Sequence, residues 1–393
     1  MAEKLSCIFT AMKAEYSKAS LTNDADFLIR EELDQADKLI RSDPKQALNL
    51  FDKILDSQDQ SPRALYGKAR ALDQLSEKER SNQHLEQSIQ TFLSVLDLGR
   101  ATPDDLYRMA GIRVVQRMQF RGWSKKAIHV LGEMLKRFPG DSQIQNELGV
   151  QYLMTGKNIN AREVFQSVLK SSPNNGFASV HLGFILKTGG FEHDRENAVA
   201  LLKHGIMSRE EGTQEGKFYY HLGEGLQRLG RNDEADQIFN QGFRNGFFMS
   251  FWQRSLYNVG HLRGQPVWTK DNSGARLELT TLEKNWKVIR GEAMAILTEE
   301  RFKAESENLK DTGTWGQFEL YRRGEKSVKN CIRAPVTCAL IDLVPAAKSC
   351  KRGQVKFSLM KAGTHVHPHS GPTNCRLRAH LGLVVPEHSG EIR

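Results

Sequence analysis

The stretch LGVQYLMTGKNINAREVFQSVLKSSP (148–173) decides how the first 245 residues of this chain are built. The small residues Gly149 and Ala161 let two antiparallel helices approach closely. Leu148, Tyr152 and Phe165 fill the seam between successive pairs, and Pro173 stops the second helix. The same offsets recur along the chain. Leu222-Gly223 and Leu226 are followed by Ala235 and Phe239, and Leu182-Gly183 and Leu186 lead to Ala198 and Leu202 with three additional residues in the turn. Earlier, Ala47 and Phe51 repeat the Ala-x3-Phe element. Such self-similarity predicts stacked helix pairs, each burying its apolar face against its neighbours.

Before residue 100 the pattern is weaker, and the charged run LSEKERSNQHLEQ (75–87) interrupts its register. The clear copies resemble the tetratricopeptide repeat. That resemblance implies either a concave groove for peptide or protein partners or a brace for another domain. After residue 245 the texture changes. FFMSFWQRSLYNVGHLRGQPVW (247–268) is aromatic-rich and punctuated by Gly260, Gly264 and Pro266, which predicts a packed connector. Residues 282–304, around Leu282, Trp286, Ile289 and Ile296, read as one more amphipathic helix. From about residue 313 strand signals dominate: the segment of Trp315, Phe318, Leu320 and Tyr321, then VTCALIDLV (336–344), VKFSLM (355–360) and LRAHLGLVV (377–385). The expected organisation is a helical repeat region over 1–245, a connector and support helix over 246–310, and a strand-rich region over 311–393.

Composition excludes several classes. With 393 residues, 39% of them hydrophobic and 26% charged, the chain is long enough for two cores and too apolar for disorder. No run approaches the roughly 18 apolar residues of a membrane span, and the start, MAEKLSCIFTAMKAEY, has no uninterrupted apolar core of a secretory signal. The net charge of +9 is uneven. The last 43 residues hold 7 Lys and Arg against 2 Asp and Glu, whereas the first hundred carry more acid than base. No aromatic-interleaved basic stripe accompanies that excess, so nucleic-acid binding is not expected. The five cysteines form no CxxC pair, which argues against structural zinc. Cys331 and Cys338 enclose a short Pro-containing loop that a disulfide closes in an oxidising compartment. Free buried thiols are the equally open alternative.

The chemistry concentrates in VKFSLMKAGTHVHPHSGPTNCRLRAHLGLVVP (355–386). Alternation over 377–385 puts Leu377, Ala379, Leu381, Leu383 and Val385 on one face, and Arg378 and His380 on the other. An inward guanidinium and imidazole are costly unless they meet an anion or a metal. Ser358 shares a strand face with Lys356 and Met360. A hydroxyl, a guanidinium and an imidazole on one cavity suit a small dicarboxylate. Between the strands, His365, His367 and His369 alternate as a metal-binding set does, or as a surface cluster does. No HxD, HxE or HExxH accompanies them; Glu387 and His388 are the nearby candidates downstream.

GTHVHPHSGPTNCRLRAHLGLVVP resembles the signature of the aspartyl/asparaginyl β-hydroxylase family of Fe(II)- and 2-oxoglutarate-dependent dioxygenases. The similarity extends through KRGQVKFSLM, the Cys331–Cys338 loop, WGQF at Trp315, WQRSLYN (252–258) and the repeats, including SPRALYGKA (61–69) and GFASVHLGFILK (176–187). The resemblance implies an α+β fold: a tetratricopeptide-repeat solenoid followed by a double-stranded β-helix, cupin-like oxygenase domain. It implies β-hydroxylation of Asp or Asn in epidermal-growth-factor-like domains, coupled to decarboxylation of 2-oxoglutarate, in the lumen of the endoplasmic reticulum. It makes His369 an iron ligand, and Trp315, Ser358, Arg378 and His380 the 2-oxoglutarate site. The oxidising compartment favours a Cys331–Cys338 disulfide. Family members carry a type II membrane anchor, and none is expected within these residues.

Two departures qualify that implication. His367 stands where the family carries an aromatic residue. The family's second iron-binding His and the Arg that pairs with the distal carboxylate lie on later strands, and the sequence ends at Arg393. The expectation is therefore an incomplete barrel within a longer hydroxylase. The alternative is a non-catalytic repeat module with a decayed oxygenase half.

Overall fold

The computed structural model describes residues 12–13, 15–189, 194–265, 267–298, 301–305 and 309–387. Two compact units emerge, Met1–Ile185 and Leu186–Arg393. The change of texture at 245 is thus a change of local structure inside the second unit. It is not the division between compact bodies.

The first unit is helical. Its elements are α1 (Asp24–Leu28), α2 (Arg30–Leu39), α3 (Pro44–Ser57), α4 (Pro62–Lys78), α5 (Asn82–Asp97), α6 (Asp104–Phe120), α7 (Ser124–Arg137), α8 (Ser142–Met154) and α9 (Asn158–Ser171). α10 (Gly176–Thr188) crosses the division. Local chemistry sets the starts. Asp43, Ser61, Ser81 and Asp141 each accept a hydrogen bond from a backbone N–H of the first turn, and Pro44 and Pro62 occupy first-turn positions. The charged run 75–87 does not interrupt the helices. It is the end of α4, a turn through Arg80 at φ 51°, and the Ser81-capped start of α5. Helix pairing therefore continues before residue 100, where the sequence pattern fades.

The predicted small residues meet the predicted large ones. A Cβ on Gly149 would lie 2.5 Å from the Phe165 ring, and one on Gly67 would lie 2.2 Å from Phe51. Met134 fills the same role over Gly111. One buried network ties the first helices together. Arg63, on α4, donates to Asp34 at 2.5 Å and to Asp37 at 2.7 Å, and Lys18 reaches the same two carboxylates.

The second unit continues with α11 (Arg195–Ser208), α12 (Gly216–Arg228) and α13 (Asn232–Arg244), where Phe239 lies on Gly223 with a Cβ distance of 2.3 Å. Among the described residues, 245–275 form no regular helix. The support helix is broken into α14 (Arg276–Lys284) and α15 (Trp286–Thr298), parted at Asn285. Strands follow: β1 (Lys303–Ala304), β2 (Lys310–Thr312), β3 (Trp315–Arg322), β4 (Glu325–Lys326), β5 (Gln354–Met360) and β6 (His365–Val366). β3 is central. It pairs antiparallel with β5 along its length and with β1 and β4 at its two ends, while β2 and β6 make a separate antiparallel pair. The expected order, helical repeats and then antiparallel strands, is observed.

Two predicted strands are absent. Residues 336–344 instead carry a helix, α17 (Pro335–Asp342), which follows the short α16 (Val328–Cys331). Pro335 opens α17, and the Glu292 carboxylate on α15 accepts from the backbone N–H groups of Val336 and Thr337, both at 2.8 Å. A carboxylate at the N-terminus satisfies orphan donors and complements the helix dipole. The Cys331 and Cys338 sulfurs form a close pair joining the two helices, with Cα atoms 5.7 Å apart. Residues 377–385 are irregular. Of the predicted apolar face only Leu383 packs against the core of Ile289, Ile296, Phe318, Tyr321 and Phe357, while Leu377, Leu381 and Val385 are exposed. A strand needs a neighbour for its backbone groups, and no strand pairs with this segment among the described residues.

Two outcomes test this account by denaturation followed through helical circular dichroism. Gly149→Ala overpacks the Phe165 contact and is expected to cost about 1–3 kcal/mol. Gly132→Ala, where a Cβ meets nothing within 4 Å, should be neutral or stabilise by up to about 1 kcal/mol. Equal effects would sink the assignment of the glycine contact. Separately, burial pushes Asp34 up, but hydrogen bonds from Tyr16, Arg63 and Lys18 outweigh it and hold the carboxyl at about 2. A lowered carboxylate stabilises above its unfolded value, 3.8, and that contribution vanishes as pH falls towards about 2. Asp34→Asn should therefore lower the melting temperature at pH 7, and the gap from the unaltered chain should close in acid.

Candidate functional site

Register brings the first two site residues together. Gln317 faces Ser358 and Trp315 faces Met360 across β3 and β5, so Trp315 and Ser358 are diagonal neighbours. The Trp315 indole N–H donates to Ser358 Oγ at 2.8 Å. The Ser358 hydroxyl proton then remains to be donated to an acceptor. Lys356, two residues along the same strand, donates to Gln317 Oε1 at 2.7 Å. Indole, hydroxyl and ammonium on neighbouring positions of two paired strands are a fitting surface for a carboxylate.

Arg378 and His380 are not brought to that surface. Both are exposed in the irregular segment, and neither hydrogen-bonds to Trp315 or Ser358. Alternation had aimed them inward on a strand that does not form.

The three histidines divide. β6 pairs with β2, with His365 opposite Thr312 and Val366 opposite Lys310. This places Asp311 beside the first two imidazoles: His365 Nδ1 lies 3.1 Å from Asp311 Oδ2, and His367 Nε2 lies 3.4 Å from Oδ1. The hydrogen bond with His365 holds the Asp311 carboxyl below its ordinary value. Burial, and then the Arg228 cation, push His367 down, against the pull of Asp311. Arg228, on α12, belongs to a largely buried ionic group that also takes Lys187 from α10. There burial pushes Glu224 up, but His221, Lys187 and Arg228 outweigh it and hold the carboxyl far below its usual range. His369 stands apart from Asp311. Its Nδ1 hydrogen-bonds the His367 carbonyl at 2.8 Å. Nε2 is then the nitrogen suited to a metal, in the arrangement that orients metal-binding imidazoles.

One imidazole does not make an iron site. Among the described residues no three His, Cys, Asp or Glu side chains converge to hold a metal ion. His388 lies outside the described residues. The residues present fit part of an iron site and do not complete it.

What fixes His369 is the connector, which sequence reasoning treated only as packing. Ser370 Oγ accepts from the Arg254 N–H at 3.2 Å and donates to the Trp252 carbonyl at 3.1 Å. The Tyr257 N–H donates to the Pro372 carbonyl at 3.0 Å, and Tyr257 bridges Thr373 in parallel. Asn374 Oδ1 accepts from the Val259 N–H at 2.8 Å, and its Nδ2 donates to the carbonyls of Val259 and Leu262. Arg254 is itself buried, its guanidinium 3.8 Å from the centre of the Phe239 ring on α13. The signal was present: the Ser-Gly-Pro-Thr-Asn run after His369 is rich in residues that hydrogen-bond backbone.

With this geometry in view, the comparison with known sequences is specific. Residues 283–393 match the family model for aspartyl/asparaginyl beta-hydroxylase. This segment belongs to that family. The likeness to family members runs beyond it, through the helices. The chain is 44% identical to the aspartyl/asparaginyl beta-hydroxylase of Mus musculus over 379 residues, 96% of this chain and 50% of that protein. Against the Homo sapiens protein of the same name it is 44% identical over 384 residues, 97% of this chain and 50% of that protein. An ornithine lipid ester-linked acyl 2-hydroxylase of Rhizobium tropici is 31% identical over 156 residues, 37% of this chain and 53% of that protein. The chain spans about half the length of the two β-hydroxylases it matches.

Asn374→Ala removes the three hydrogen bonds to Val259 and Leu262. Hydrogen exchange should accelerate at Val259 and across 369–376 while α3 to α9 keep their protection. An unchanged Val259 amide would show that the clamp does not hold this loop.

Proposed function

We propose that this chain carries the repeat region and part of the oxygenase region of an Fe(II)- and 2-oxoglutarate-dependent enzyme that β-hydroxylates Asp or Asn in epidermal-growth-factor-like domains. The observation that carries the reading is the 44% identity to β-hydroxylases over 96% of the chain, helices and strands alike. In this reading 1–245 is the repeat module that meets the protein substrate, 246–310 supports it, and 311–393 contributes to the oxygenase. His369 is the iron ligand contributed here. Trp315 and Ser358 hold the 2-oxoglutarate carboxylate, to which Arg378 and His380 are added once their segment is paired. Bound iron would supply the oxidising chemistry. The work of this chain's own residues is to bind and orient: the indole fixes the Ser358 hydroxyl, and the connector fixes the His369 loop. The reading places the protein in the lumen of the endoplasmic reticulum, where the Cys331–Cys338 pair is a disulfide tying α16 to α17. No described helix is long and apolar enough to cross a membrane.

One observation favours a second reading, a non-catalytic binding module: metal-capable side chains do not converge in threes among the described residues. Succinate formation separates the two. A chain of the relatives' full length, supplied with Fe(II), 2-oxoglutarate and an epidermal-growth-factor-like peptide, should release succinate and yield hydroxylated peptide. His369→Ala should abolish both, and Ser358→Ala should raise KM for 2-oxoglutarate about tenfold, the loss of one hydrogen bond to a charged group. No turnover in the full-length chain would favour the binding module. Turnover untouched by His369→Ala would overturn the site.

A further inference from the structure

The first hundred residues are acidic on balance, yet in the walls of each of two abutting cavities on α2, α4 and α6 cations outnumber carboxylates four to one. Each has a volume of about 360 Å³, and they share Tyr66, Arg70 and Met109. The carboxylates in their walls are already engaged. Asp37 accepts from Arg63 and Lys18, both at 2.7 Å. Asp73, its side chain 3% exposed, is held by Arg113 at 2.5 Å and Arg117 at 2.6 Å. Positive charge is left over. Among the described residues Arg70 reaches one carboxylate only, Asp37, at 3.4 Å. Arg41 and Lys38 are exposed and have no ion-pair partner among the described residues. Beside these cations Met109 is 42% exposed, next to Ile112.

The geometry points to a docking site for an extended acidic peptide segment, its carboxylates on Lys38, Arg41 and Arg70 and its intervening apolar side chains on Met109 and Ile112. Charge complementarity selects the occupant. Three under-compensated cations attract a polyanion, and a guanidinium favours carboxylate through paired N–H donors. The apolar ledge selects a peptide over a nucleic acid. An extended peptide alternates its side chains, so acid and apolar groups meet separate parts of the surface. Single-stranded nucleic acid needs open aromatic faces to stack upon. Tyr66 is the aromatic residue here, and it is partly buried with the Arg70 guanidinium 5.6 Å from its ring. The site lies wholly on the early helices and uses none of the residues of the candidate oxygenase site.

The test is fluorescence anisotropy of the full chain with a labelled peptide of alternating Glu and Leu. A peptide of alternating Gln and Leu and a labelled poly-uridine RNA serve as comparisons. The Glu-Leu peptide should bind, weaken as salt rises, and lose about tenfold in affinity with Arg41→Glu/Arg70→Glu. Lys38→Glu/Arg41→Glu, which alters exposed residues alone, should reproduce that loss with the helical circular dichroism unchanged. No binding of the Glu-Leu peptide, equal binding of the Gln-Leu peptide, or indifference to both charge reversals would overturn the proposal. Tighter binding of the RNA through the same residues would overturn it as well, in favour of a nucleic-acid surface.

Discussion

Along the helical region a bulky side chain is laid directly on a glycine of the facing helix: Phe51 on Gly67, Met134 on Gly111, Phe165 on Gly149 and Phe239 on Gly223. Even a methyl group at those glycines would fall within 2.2–2.5 Å of the partner. The missing Cβ lets the backbones approach and turns one ring into the spacer of the pair, so the packing is fixed by a volume that cannot grow. In the second compact unit this contact reaches the candidate site. Phe239 fills Gly223 on one side and carries the Arg254 guanidinium on another, and the Arg254 N–H holds Ser370, next to His369. The packing of this helix pair thus braces the loop of the candidate site. The Gly223–Phe239 contact is the start of a chain of packing and hydrogen bonds that ends beside the imidazole proposed for iron.

The candidate site depends on two devices of different strength. Trp315 and Ser358 are set by the β3–β5 register, which many ladder hydrogen bonds maintain and which a slip of one residue would destroy by turning both side chains to the other face. His369 is set by side-chain and turn hydrogen bonds from the connector, each of modest net worth and each open to loss singly. The two meet through the short β2–β6 pair, where Asp311 engages His365 and His367. A loop held by separable bonds can adjust when a ligand arrives, whereas a ladder cannot. Rigidity therefore falls on the side proposed for the cosubstrate, and adaptability on the side proposed for the metal.

The parts of this fold legible in the sequence are those decided by contacts near in sequence. The Gly/Phe offsets gave the helix pairs, and the VKFSLM alternation gave β5. Near residue 80 the repeat pattern faded but the helices did not, because a Ser cap and a turn at Arg80 do the work that repeat residues do elsewhere. VTCALIDLV misled for a different reason. A short apolar run fits a buried strand or a buried helix equally well by periodicity, and the outcome was decided by Pro335 at the first turn and by Glu292, far away in sequence.

LRAHLGLVV shows the limit most sharply. Its alternation is as regular as that of β5, and its residue types are those a dicarboxylate site needs. Yet alternation states only which side chains would share a face if a ladder existed. β5 has β3 beside it; among the described residues no strand pairs with 377–385, and its apolar residues, Leu383 apart, stay exposed. The identities of Arg378 and His380 are local information, and their convergence on Ser358 is not. A site spread over several strands can be named from its residues, but its geometry exists only when the sheet that aims them does.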